Sequence, residues 1–145
     1  MYTIKEIAAP DTFSVRHPVL RSGKPVDSCH FDGDNLPTTH HYGIFGYGKL
    51  VGVASFFKNR QVLFPETNQV QLRGMAILKE FQGKGLGEML LKYCEQLFQD
   101  EENCLLWFNA RSHAVGFYEK LGYQVKGDSF EIKDIGTHFI MYKNV

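Results

Sequence analysis

The run Gln82-Gly83-Lys84-Gly85-Leu86-Gly87 is the stretch whose residue types and spacing suit chemistry best. Glycines let a backbone approach a ligand closely. At a helix start, exposed N–H groups and the helix dipole add a site for phosphate. Taken alone, such a run also serves as a plain tight turn before a helix. Two phosphate-binding patterns do not fit it. A P-loop needs G-x-x-x-x-G-K-[ST], and no Gly-Lys pair here is followed by Ser or Thr. A dinucleotide fingerprint needs G-x-G-x-x-G in the first βα turn, whereas these glycines run G-x-G-x-G and follow a hairpin. Neither a nucleoside triphosphate nor NAD is favoured.

The elements around the run must position it. Residues 68–78 read as a strand, with Val70, Leu72, Ile77 and Leu78 apolar and Gly74 in the middle as a bulge signal. After the run, Leu86, Leu90, Cys94 and Leu97 recur at helical spacing. Leu91 and Phe98 widen that stripe, and Lys84, Glu88, Lys92, Glu95 and Gln99 form the polar face, which predicts a helix over 84–99. Cys104-Leu105-Leu106-Trp107-Phe108 is a short apolar run that fits a strand buried on both faces, parallel to strand 68–78. Ser112 is placed to cap a helix that ends at Gly122. Residues 123–126 and 138–142 read as closing strands. Upstream, residues 3–6 read as a strand, Pro10 and Asp11 open a helix of about three turns, and residues 42–45 and 50–57 form a hairpin. Residues 21–38, rich in Gly, Pro, Asp and Asn, read as a long loop of functional interest. The expected order is β-α-β-β-β-α-β-α-β-β.

Composition limits the function classes. The chain has 145 residues, with 16 Lys plus Arg and 16 Asp plus Glu, for a formal net charge of zero. One domain over 1–145 is expected. The balance excludes a bulk polycation built for nucleic acid or a membrane surface. No apolar run reaches the roughly 18 residues of a spanning helix, and the first residues lack a signal-peptide pattern, so a cytoplasmic location is expected. Cys29, Cys94 and Cys104 form no C-x-x-C pair and read as small buried hydrophobes. No His, Cys, Asp or Glu cluster has ligand spacing, so no metal is expected.

A second cluster changes the reading of the first. Trp107-Phe108-Asn109-Ala110-Arg111 ends a strand, and Ala114-Val115-Gly116-Phe117-Tyr118-Glu119-Lys120-Leu121-Gly122-Tyr123 follows. With the 82–87 run before it, this pair resembles the Gcn5-related N-acetyltransferase (GNAT) family over about residues 69–142. Gln82 to Gly87 match the signature Q/R-x-x-G-x-G/A. Asn109, Ala114, Phe117, Tyr118, Gly122 and Tyr123 match the later signature of an Asn and A-x-x-F-Y-x-x-x-G-F/Y. Leu72-Arg73-Gly74-Met75-Ala76, the 107–111 run and Gly136-Thr137-His138 are similar to one uncharacterised bacterial subgroup. The resemblance implies a mixed, mostly antiparallel, splayed α/β sheet of about seven strands with helices on both faces.

It also implies an acyl-CoA site. The backbone of Gln82, Gly83, Lys84, Gly85, Leu86 and Gly87 would cradle the CoA pyrophosphate. Met75, Ala76 and Ile77 would pair with the pantetheine arm like one more strand. The bulge at Gly74 would open a wedge against the 104–108 strand for the thioester. Asn109 and Phe117 would line the pantetheine end, and Tyr118 would hold the sulfur. An amine attacks the thioester and a thiolate leaves, so N–H donors near Gly74 and Met75 suit the oxyanion and a tyrosine suits the thiolate. Free of the resemblance, Tyr118 reads as a core aromatic.

The sequence departs from the family pattern where Lys79 replaces a frequent Pro and Gln82 a frequent Arg. The 69–78 strand also carries no carboxylate to serve as base. His138, at the start of the last strand, is the candidate, because histidine alone titrates near neutrality untuned. Arg73 and Arg111 suit an acceptor bearing a carboxylate; as plain surface charges they would do nothing. Arg16, Arg21, His40 and His41 are weaker candidates. The implied function is acetyl transfer from acetyl-CoA to a primary amine of a small molecule or peptide, with no nucleic acid or membrane partner; a homodimer is compatible with it. The competing class is a non-catalytic acyl-CoA-binding or regulatory module of the same fold. Retention of Tyr118 and Asn109 favours the enzyme.

Overall fold

The computed structural model describes residues 1–145. The elements follow the expected order: β1 Tyr2–Ile7, α1 Phe13–Leu20, β2 His40–Gly46, β3 Lys49–Phe57, β4 Gln69–Ile77, α2 Leu86–Phe98, β5 Leu105–Arg111, α3 Val115–Lys120, β6 Gln124–Ile132 and β7 Gly136–Asn144. The strands form a seven-stranded sheet in the order β1-β2-β3-β4-β5-β7-β6. Pairing is antiparallel for β1/β2, β2/β3, β5/β7 and β6/β7 and parallel for β4/β5. The fold is thus the mixed, mostly antiparallel α/β sheet read from the sequence. The chain divides into two compact units, Met1–Lys58 with Leu72–Leu97, and Asn59–Gln71 with Phe98–Val145.

In the first unit, His41 pairs with Ser55 and Tyr42 with Ala54. Successive strand residues point to opposite faces, so His41 and Ser55 share one face and Tyr42 takes the other. Arg16 of α1 donates to Ser55 Oγ at 2.9 Å, and Tyr42 meets Tyr93 of α2 edge-on at 6.4 Å. The two helices therefore cover opposite faces of these strands. Burial in α2 takes Leu86, Leu90, Leu91 and Cys94 as expected. It differs at two positions: Leu97 is 40% exposed, whereas Glu95 is 7% exposed. At 100° per residue Leu97 lies about 60° from Cys94, inside the buried arc, and Glu95 about 100° from it, so helical angle does not account for the swap; Leu97 stands in the last turn of α2.

Residues 21–38 are not a loose loop. They hold a 3₁₀ turn, Val26–Cys29, and bury Cys29, Phe31 and Asp34. The fully buried Arg16 fastens them. It donates to the Cys29 carbonyl at 2.8 Å and to the two Asp34 oxygens at 2.7 and 3.1 Å. Asp34 also accepts the Phe31 N–H at 2.9 Å. Ser55 Oγ lies 2.6 Å from His41 Nδ1, and His41 Nε2 lies 3.0 Å from the Asp34 carbonyl. The expected three-turn first helix is a 3₁₀ turn, Ala9–Thr12, followed by α1 with Pro18 inside it.

In the second unit, Leu105 to Phe108 are all buried, as a strand covered on both faces requires. Leu105 and Trp107 pack with Phe64, Ile140 and Tyr142 on one face. Phe108 packs with Tyr118 and Tyr123 on the other. Ser112 does not cap α3: a 3₁₀ turn, Ser112–Ala114, intervenes and neither N-cap residue makes a side-chain bond. β6 and β7 extend beyond the expected 123–126 and 138–142. They form a hairpin whose outer part carries only the short alternation Phe130-Glu131-Ile132, beyond an irregular register between Lys126 and Phe130.

Candidate functional site

β4 carries the first group of candidates. Its parallel register with β5 runs from Gln69–Leu105 to Gln71–Trp107. Just beyond that register, Gly74 takes a φ of +65°, and a Cβ there would stand 2.7 Å from the Phe31 ring. Only glycine fits both the left-handed backbone and the contact, so the expected close backbone approach is real. Arg73, next to it, is half-buried, with its guanidinium 5.0 Å from the Phe31 ring centre and 5.2 Å from that of Phe57. Met75 and Ile77 are partly exposed, and Ala76 between them is buried.

The glycine run begins just past the end of β4. A 3₁₀ turn, Lys79–Phe81, leads into it. Gln82 folds back, and its side-chain amide donates to the Ile77 carbonyl at 2.9 Å. The run is therefore tied to the strand end through the residue that replaces the frequent Arg. Gly83 and Gly85 take φ of +77° and +78°, and nothing stands within 4 Å of where their Cβ atoms would be. Such an open, positive-φ backbone ahead of a helix is a cradle a ligand can enter. The Gly85 carbonyl accepts the Met89 N–H at 3.1 Å, which begins α2. The N–H groups of Leu86, Gly87 and Glu88 have no partner within the helix and sit at its positive end. Lys84 and Lys49 add charge, both lying over the Phe81 ring at 5.5 and 5.9 Å. Lys49, on the preceding hairpin, had no sequence signal.

The second unit holds the other candidates and sorts them onto two faces of β5. Tyr118 packs over Phe108 at 4.4 Å, beside Phe117 at 5.0 Å and Tyr123 at 6.0 Å. Burial pushes its phenol up to about 12, so the hydroxyl keeps its proton at neutral pH. Phe117 is 43% exposed. Asn109 adjoins Phe108 in the strand and so points to the opposite face. Arg111 stands two residues on, directly across from His138 in the β5/β7 register. Asn109, Arg111 and His138 thus share a face, and Tyr118 lies on the other.

His138 is buried, at 5% exposure. Its Nδ1 is 2.8 Å from the Gly136 carbonyl, and its ring lies 5.9 Å from that of Phe130. A carbonyl only accepts, so Nδ1 carries the proton, and in the neutral ring Nε2 holds the lone pair. That is the state a base needs. The rival histidines are committed elsewhere. His40 pairs with Glu6 at 2.7 Å, and His41 belongs to the buried Arg16–Asp34–Ser55 network. No group of three His, Cys, Asp or Glu is placed to hold a metal ion. No helix is long and apolar enough to cross a membrane.

Comparison with known proteins bears on the family and the fold. Residues 2–123 match the model of the acetyltransferase (GNAT) family. YitI of Bacillus subtilis (strain 168), an uncharacterized N-acetyltransferase, is 35% identical over 145 residues, covering 100% of this chain and 97% of that one. Among solved structures, an acyl-CoA N-acyltransferase from Pseudomonas aeruginosa superposes with a TM-score of 0.75 at 18% identity, covering 99% of this chain and 98% of that one. An aminoglycoside 6'-N-acetyltransferase complexed with coenzyme A superposes with a TM-score of 0.77 at 14% identity, covering 98% and 96%.

Proposed function

Because the chain belongs to the acetyltransferase (GNAT) family, we propose that it moves the acetyl group of acetyl-CoA to a primary amine of a small molecule or peptide. In this reading residues 1–145 act as one catalytic domain in the cytoplasm. The observation that carries the reading is the 82–87 cradle: two positive-φ glycines with open space beside them, opening onto a helix N-terminus. Acetyl-CoA supplies an activated thioester and a pyrophosphate handle.

The chain's own residues supply the rest. The backbone of Gln82, Gly83, Lys84, Gly85, Leu86 and Gly87 holds the pyrophosphate, with the Gln82 side chain locking the loop to Ile77. Met75, Ala76 and Ile77 offer strand backbone to the pantetheine amides, and Asn109 and Phe117 contact its far end. The Tyr118 hydroxyl meets the departing sulfur with its proton in place. His138 Nε2 takes the amine proton through water or orients the amine by a hydrogen bond. Arg73 and Arg111 orient the acceptor.

The cradle has a direct test. Gly85→Asp adds a carboxylate where phosphate would sit, at a φ an aspartate tolerates poorly. Acetyl-CoA affinity is expected to fall by about tenfold or more. An acid at a helix N-terminus favours the helix itself, so the variant is expected to fold. Calorimetric titration reads the result, and unchanged affinity would remove the 82–87 run from the site.

A further inference from the structure

Three guanidinium groups converge on the ring of Phe31 in the first unit. Arg16 lies 3.9 Å from its centre, Arg73 5.0 Å and Arg21 5.2 Å. Their surroundings do not cancel that charge. Arg16 has its own carboxylate in Asp34, fully buried with it at 2.7 Å. Asp34 is already shared, with His30 Nδ1 at 3.7 Å and His41 Nε2 at 3.8 Å. Arg21 donates only to carbonyls, those of Ser28 at 3.3 Å and Leu20 at 3.1 Å. The Arg73 side chain makes no hydrogen bond and no ion pair; its guanidinium lies over the faces of Phe31 and Phe57.

The chemistry of that arrangement is specific. Stacking on aromatic rings occupies the flat faces of a guanidinium and leaves its N–H fork in the plane for a ligand. A half-buried fork without an acceptor is costly unless something fills it. Burial, together with the nearby Arg16 and Arg21 charges, pulls the Arg73 guanidinium below its usual value, against the opposite pull of Asp34 and the exposed Asp32. A second donor is short of an acceptor close by. Arg16 Nε is buried and unpartnered, 3.3 Å from the point where a Cβ on Gly74 would stand. The unsatisfied donors thus gather beside Gly74 of β4, and they call for an anion.

We propose that Arg73 and Arg21, reinforced by the Arg16 charge, bind a carboxylate of the acceptor, so that the acceptor is an amine that also carries a carboxylate. A free amino acid and a short peptide with its C-terminus both present that chemistry. A polyamine would instead bring like charge to three guanidiniums. The proposal rests on the acetyltransferase reading above and narrows it to one substrate class. It assigns the carboxylate to Arg73 and Arg21; Arg111, in the second unit, is not part of this cluster.

The test compares matched acceptors within each protein. Free α-amino acids, their α-amides, dipeptides and spermidine are offered with acetyl-CoA, and kcat/KM is measured for wild type and Arg73→Gln. Wild type is expected to prefer a carboxylate acceptor over its amide by about 10–100-fold, the range of a charge-assisted bidentate contact. Arg73→Gln is expected to bring that ratio close to one, and Arg73→Lys to restore part of it. A ratio within one variant is independent of how much of it is folded. Better turnover of dipeptides than of amino acids assigns the carboxylate to a peptide, and the reverse to a free amino acid. Equal or better turnover of amides or spermidine by wild type overturns the carboxylate site and leaves the acetyltransferase standing. If no amine is acetylated, that reading fails instead, and calorimetric titration with the amino acids and dipeptides decides the site. Saturable binding that Arg73→Gln abolishes upholds it, and no binding overturns it.

Discussion

Tyr118→Phe is expected to lower turnover by ~10²–10⁴-fold, the usual worth of a positioned general acid, with acetyl-CoA still bound. The substitution keeps the ring that packs 4.4 Å from Phe108 and removes only the hydroxyl. Burial raises that hydroxyl to about 12, against ~8.5 for an ordinary thiol. Taken in water, the phenol would be a poor acid for a thiolate. The comparison changes in apolar surroundings, because desolvation raises both groups. Cys94 shows the size of that effect on sulfur in this protein: burial pushes its thiol up to about 12. A sulfur departing into the surroundings of Tyr118 is pushed the same way, which matches donor to acceptor. Wild-type turnover in Tyr118→Phe, read by thiol release, would make the hydroxyl a packing partner. The same assay on His138→Gln reads the other proton. Gln still donates to the Gly136 carbonyl but offers no basic nitrogen, so turnover falls; an unaltered rate would leave His138 structural.

Asp34→Asn is expected to cost ~3–5 kcal/mol of stability, the usual consequence of breaking a buried ion pair. That is a large part of the ~5–15 kcal/mol available to a domain. The fully buried Arg16 charge would lose its counter-ion, and Arg16 is also what holds the Cys29 carbonyl and Ser55 in place. The pH dependence follows from the same contacts. Burial alone would raise the Asp34 carboxyl, but the Arg16 hydrogen bond, the Phe31 N–H and the charges of Arg16 and His41 outweigh it and hold it below its usual value. A carboxyl lowered by folding adds stability that is complete above its unfolded pKa, near ~3.9, and is lost as pH falls through the folded value. Wild type should therefore lose stability below about pH 4 more steeply than Asp34→Asn. Urea unfolding across pH checks both points; an unchanged midpoint at neutral pH would show that the pair contributes nothing.

What was legible in the sequence is what lies close together along the chain. The glycine run, the helix after it and the buried 105–108 strand depend on neighbours within a few residues, and each is where periodicity placed it. The close approach at Gly74 was legible because a glycine inside a strand marks a bulge or a close backbone approach, and here the Phe31 ring comes close to it. The Arg16–Asp34–Ser55 network was not, because its members are 18 and 39 residues apart and no local pattern joins them. Without that network, residues 21–38 look like turn chemistry alone; with it, Cys29, Phe31 and Asp34 are buried and Phe31 stands against Arg73. The Ser112 cap failed for a local reason, a 3₁₀ turn that delays α3 by three residues. For the site, the sequence named Tyr118, His138 and Arg73 individually. Which of them share a face depends on the β5/β7 register, which pairs Arg111 with His138.

In the proposed function this chain acetylates an amine with acetyl-CoA. The most direct test of that function mixes the purified protein with acetyl-CoA and a panel of primary amines, and quantifies free CoA thiol and acetylated amine in the same samples. Thiol release is expected to depend on the amine and to equal the acetylated product in amount. Saturable acetyl-CoA binding with no thiol released above the protein-free rate, for every amine offered, would contradict it and leave a module that binds acyl-CoA without turning it over.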